Sequence, residues 1–83
     1  MRRSIDDASD AHPAGDDEQP PSSWMVGLAD DCEGCGDVRV VVTLEVVGGA
    51  GTGVAAHLDP EGARRLRGAL ADALREVGED PGR

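Results

Sequence analysis

The sequence predicts an α+β fold: a small antiparallel β-sheet, made of a β-hairpin and a candidate third strand, packed against one C-terminal amphipathic helix. Three observations predict it. The valine-rich run Asp37–Val47 alternates its apolar residues at period two. The cluster Gly48-Gly-Ala-Gly51 breaks that run before a second strand-like stretch. Asp59-Pro60-Glu61 then opens a segment whose apolar residues recur at helical spacing as far as Val77.

From the N-terminus, residues 1–22 read as a disordered acidic tail. Asp6, Asp7, Asp10, Asp16, Asp17 and Glu18 fall within it, and Ile5 is its one large apolar side chain. A solubilising arm is the plain reading of such a segment; mimicry of nucleic-acid charge toward a basic partner is the sharper one. His12 sits on this arm and is a poor preformed ligand. Ser23–Leu28 follows as a short apolar stretch. As a strand it places Trp24, Val26 and Leu28 on one face, which makes it the candidate third strand. A tryptophan beside a methionine is also the composition of an interface anchor.

In the Asp37–Val47 run, Val38, Val40, Val42, Leu44 and Val46 share one face. The other carries Arg39, Val41, Thr43, Glu45 and Val47. A single helix covers one face only, so Val41 and Val47 join Trp24 and Val26 as candidate interface residues. Glycine takes the positive φ values that hairpin turns require, and the Gly48–Gly51 cluster reads as such a turn. A phosphate-cradling loop would need a helix N-terminus behind it and usually a lysine; this chain has no lysine. The return strand sets Val54, Ala56 and Leu58 on one face and His57 on the other. Asp59 is placed to cap the helix, Pro60 fits its first turn, and Glu61 suits the positive end of its dipole. Ala63, Leu66, Ala69, Leu70, Ala73, Leu74 and Val77 form its stripe, and Gly78 is a natural stop. The expected domain spans 23–79, with 80–83 as a disordered C-terminus.

Composition bounds the rest. Eighty-three residues with one tryptophan and no Phe or Tyr must build a core from Val, Leu and Ala, and a domain of this size is marginal on a single such core. Self-association as a homodimer is therefore expected, with Leu66, Leu70 and Leu74 meeting Trp24, Val26, Val40, Val42 and Leu44 in core and interface. The net charge of −9 disfavours direct contact with nucleic-acid phosphates. No stretch has the length of a membrane span, and the N-terminus lacks the apolar segment of a signal peptide, so no membrane association and a cytoplasmic location are expected.

Asp30-Asp-Cys32-Glu-Gly-Cys35-Gly36-Asp37 is the one segment with evident chemical potential. Two thiolates at this spacing reach one ion, and the glycine lets backbone N–H groups turn toward the sulfurs. Cys32 and Cys35 are thus candidate ligands for zinc, half of a structural site. The remaining donors would be His57 and another residue, or the same two cysteines of a second subunit in a four-cysteine site. The rival is a redox pair, but Asp30, Asp31, Glu33 and Asp37 make a field that disfavours free thiolates. No Ser-His-Asp spacing, no His-x-x-x-His and no definable carboxylate pair occurs, and the chain is not expected to be an enzyme.

The valine-rich strands and the segment Leu58-Asp-Pro-Glu-Gly-Ala-Arg-Arg-Leu-Arg-Gly-Ala-Leu-Ala-Asp-Ala-Leu74 resemble the small acidic actinobacterial proteins that include the BldB-type developmental regulators. The resemblance covers Val38 to Val77 and leaves the Cys-x-x-Cys loop outside it. It implies a dimeric strand-plus-helix domain that regulates through protein contacts, without catalysis. The functional expectation is a small non-catalytic interaction or regulatory module acting on a protein partner. The alternatives are a zinc-stabilised adaptor and a Cys-x-x-Cys redox-responsive protein.

Overall fold

The computed structural model describes residues 2–13, 19–49, 51 and 53–82. Four strands and a helix follow in order: β1 (Arg2–Ser9), β2 (Ser22–Ala29), β3 (Arg39–Val46), β4 (Val54–Leu58) and α1 (Pro60–Glu76). The strands form one sheet in the order β1-β2-β3-β4, each antiparallel to its neighbour. The α+β architecture is the expected one, and Ser22–Ala29 supplies the third strand.

The first strand departs from the expectation. Arg2–Ser9, read from composition as part of a disordered arm, pairs with β2 from Arg2↔Ala29 to Ser9↔Ser23. All eight of its residues are exposed, so backbone pairing rather than side-chain burial holds it. Asp10 helps to fix the end of this hairpin: its N–H donates to the Ser22 carbonyl at 2.8 Å, and its Oδ2 accepts from the Ser22 N–H at 3.1 Å. A bulge between Ser4 and Asp6 interrupts the pairing opposite Gly27 and Val26. The tail residues 14–18 lie outside the described residues.

The register sorts the side chains onto two faces. Trp24, Leu44 and Val54 lie abreast, as do Val26, Val42 and Ala56, and then Leu28, Val40 and Leu58. This is the face beneath α1, which touches β3 and β4. The opposite face carries Met25, Thr43 and Ala55 in one row and Gly27, Val41 and His57 in the next. Gly48 and Gly51 in the β3–β4 turn take φ values of 81° and 84°, as a hairpin reversal requires.

The helix begins and ends where its chemistry dictates. Asp59 Oδ1 accepts from the Gly62 N–H at 2.7 Å, Pro60 opens the first turn, and Gly78 with φ 78° follows the Val77 cap. Its apolar stripe is present but not enclosed. Leu70 is 60% exposed, Leu66 and Leu74 about 40%, and no residue of α1 is buried. Among the described residues Ala29 is the one buried hydrophobic side chain. The expected leucine-and-valine core is therefore incompletely closed in a single chain, Leu44 being more than half exposed. Trp24, Val26 and Val41 are partly buried within the sheet, and Val47 stands exposed just beyond β3.

Candidate metal centre

The loop between β2 and β3 does not extend away from the sheet. It turns back onto the face opposite the helix, and residues of three strands hold it. Arg2 of β1 donates from Nε to Asp31 Oδ2 at 2.8 Å. Arg39 of β3 donates from Nη2 to the Cys35 carbonyl at 3.2 Å. On β4, His57 Nδ1 lies 3.4 Å from Cys35 Sγ.

Within the loop the two cysteines close a tight turn. The N–H groups of Cys35 and Gly36 both donate to the Cys32 carbonyl, at 3.2 and 3.3 Å, and Gly36 takes the positive φ of 70° that ends the turn. This geometry folds the chain around the first sulfur. The Cys32 thiol titrates below its ordinary range, first because the Cys35 thiol donates to its sulfur, then because the Cys35 backbone N–H does the same, with a smaller contribution from the Gly34 N–H. Burial and the Asp31 carboxylate act against this and are outweighed. Cys35 is pushed the other way, by that same hydrogen bond to Cys32, by burial and by the Cys32 charge; Arg39 opposes the rise without reversing it. The acidic residues around the motif thus matter less than the hydrogen bonds inside it. The Asp31 carboxylate acts against the Cys32 thiolate, as the sequence leads one to expect, and the hydrogen bonds inside the motif oppose it.

The sulfurs of Cys32 and Cys35 and a ring nitrogen of His57 lie within 4.8 Å of one another, so the three can converge on one ion. Two thiolates and an imidazole are the donor set of zinc, and a tetrahedral ion held by three such groups keeps one position for water or an outside donor. The third donor comes from the same chain, where the four-cysteine arrangement needed a second subunit. No other His, Cys, Asp or Glu joins the group among the described residues. His57 arrives there through register: β3–β4 pairing sets it opposite Val41, on the face onto which the loop turns. Both cysteines are half-buried and His57 is exposed on the outer strand, so the cluster is open to solvent. Arg2, Arg39 and the bulged β1 went unassigned to this site in the sequence; the parity of Arg39 with Val41 is the one local sign that the former faces it.

Trp24 and Val26 belong to the helix face and Val41 to the metal face, so the candidate interface residues do not form one patch. No helix among the described residues is long and apolar enough to cross a membrane. No protein-family model, curated protein or solved structure matches the chain.

Proposed function

We propose that the protein is a small non-catalytic module that holds one zinc ion through Cys32, Cys35 and His57 and presents the metal-stapled sheet to a protein partner. The observation that carries this reading is the convergence of three donors from two separate elements, the β2–β3 loop and β4, within 4.8 Å. A metal there joins the outer strand, and the helix that follows it directly, to the loop between the central strands. Such a cross-link contributes folding free energy in a chain whose apolar core is small. The backbone N–H groups directed at the Cys32 sulfur favour the thiolate that zinc requires.

Native mass spectrometry of protein purified without chelator or a metal-binding tag tests the reading. One zinc per 8.6 kDa chain is expected. Cys32→Ser and Cys35→Ser should each abolish it, and His57→Ala should weaken it by about 10-fold or more, as loss of a direct ligand demands at least what loss of its support costs. A folded chain that takes up no zinc from micromolar solution overturns the proposal. The redox reading keeps one supporting observation, the closeness of the Cys32 and Cys35 sulfurs, which lie within 4.8 Å of each other. It predicts a reversible Cys32–Cys35 disulfide whose formation changes partner binding in zinc-free protein.

A further inference from the structure

We infer that Cys32, Cys35 and His57 form a complete three-coordinate site for the cuprous ion, and that this ion takes the cluster in place of zinc. The inference uses the same three donors as the zinc reading but draws on their number. A tetrahedral zinc ion held by them lacks a fourth protein ligand, and structural zinc sites are ordinarily closed by four. No other His, Cys, Asp or Glu joins the group among the described residues. In β2, β3 and β4 the rows around His57 carry Gly27 and Val41, then Met25, Thr43 and Ala55, with no thiol, second imidazole or carboxylate among them. A cuprous ion is closed by what is present. Thiolates are the soft ligands that select it, and two of them with an imidazole fill a planar shell of three.

The spacing suits such a shell. Metal–sulfur and metal–nitrogen bonds of about 2.0–2.3 Å, set about 120° apart, separate the donors by roughly 3.8–4.0 Å. His57 Nδ1 lies 3.4 Å from Cys35 Sγ, and all three donors fall within 4.8 Å, a range that brackets those separations. A cuprous ion with two thiolates and a neutral imidazole leaves one negative charge on the centre, where zinc leaves none. Arg39 answers it, since its Nη2 donates to the Cys35 carbonyl at 3.2 Å and so sets a guanidinium beside the loop. Arg2 engages Asp31, one of the carboxylates that would oppose the added charge. The Cys-x-x-Cys spacing would supply two sulfurs in any chain. What this fold adds is His57, which the β3–β4 register sets on the face onto which the loop turns. The third donor therefore decides the inference.

Anaerobic titration of the full chain with cuprous ion, with and without zinc and in competition with the cuprous chelator bicinchoninate, tests it. X-ray absorption at the copper edge reports the coordination number. One copper per 8.6 kDa chain, the edge of a three-coordinate ion and release of any bound zinc are expected. His57→Ala should give the edge of a two-coordinate ion and weaken copper retention by about tenfold or more, at least what loss of a ligand's support costs. Cys32→Ser should abolish retention, and the exposed His57→Ala keeps the test decisive if that variant unfolds. Retention and edge unchanged in His57→Ala overturn the inference, as does zinc that stays bound against an equivalent of cuprous ion, or a copper cluster bridging several chains. Zinc uptake without copper uptake leaves the zinc reading standing and overturns this one; copper uptake without zinc uptake does the reverse.

Discussion

The two faces of the sheet are closed by different means. On one, the Asp30–Val38 loop is held by polar contacts of fixed geometry: Arg2 to Asp31, Arg39 to the Cys35 carbonyl, and His57 against the Cys35 sulfur. On the other, α1 brings a leucine stripe over a valine-rich face yet leaves Leu70 60% exposed. Hydrogen bonds and ligand donors are short-ranged and directional, so a few of them position a loop without a large core. Apolar burial scales with area, and one short helix over part of a sheet does not supply enough of it. The lesson is that this chain orders the loop on one face through a few directional contacts and leaves the helix face open in the single chain.

Metal removal should give the largest effect, because it breaks the face that closes itself. At zinc one hundred times above its dissociation constant, the stabilisation is about 2.7 kcal/mol. In a domain of this size that corresponds to a Tm difference of roughly 10–20 °C. Calorimetry of zinc-loaded and chelated protein measures it directly. An unchanged Tm would place the stability on the helix face and reverse the comparison.

Gly27→Ala, on β2, probes the same face where that strand meets β1. A Cβ at this position would stand 2.7 Å from the Arg3 carbonyl oxygen, a backbone atom that cannot yield without moving its strand. The expected cost is about 1–3 kcal/mol, in the range of other overpacked sites. Hydrogen exchange should show Arg2–Ser9 losing protection while the β2–β3 and β3–β4 pairings persist. Uniform loss of protection across the sheet would mean that β1 is not a separable element.

Leu66→Ala asks how much the helix face contributes in the single chain. Buried leucines cost about 2–5 kcal/mol on truncation. Leu66 retains about 40% of its exposure, so its truncation in the monomer should fall near 1 kcal/mol. Urea unfolding at low protein concentration measures this term without association. A loss above about 3 kcal/mol would show a helix face as closed as a conventional core.

What could be read from sequence divides along the same line. The β3 alternation, the glycine turn, the Asp59 cap and the Gly78 stop are local patterns, and each appears where its residues put it. β1 carries no such pattern: Arg2–Ser9 is charged and wholly exposed, and only the open edge of β2 makes it a strand. Cys32 and Cys35 were visible as half a site because their spacing is local. His57 was visible only as a further candidate, since its arrival depends on the β3–β4 register and on the direction in which a loop twenty residues earlier turns. The incomplete core was legible in the absence of Phe and Tyr, whereas the exposure of Leu44 and Leu70 needed the placement of α1.

The smallest effect, and the most local, concerns the order in which the two thiols react. Acidic neighbours alone would raise both thiols and leave them alike. The hydrogen bonds instead separate them: donation from the Cys35 thiol and backbone lowers Cys32, while the same bond, with burial, raises Cys35. A lowered thiol populates its thiolate at lower pH, and the thiolate is the nucleophile. As pH rises in metal-free protein, Cys32 should therefore be alkylated by iodoacetamide first and Cys35 only at higher pH, as resolved by peptide mass spectrometry. Replacing Cys35 with Ser leaves a weaker hydroxyl donor and should move the Cys32 profile upward in pH. Zinc should protect both residues together, because one ion holds both sulfurs. Identical profiles for the two thiols without metal would mean that solvent and the surrounding carboxylates govern the loop, and that its hydrogen bonds do not organise the metal face.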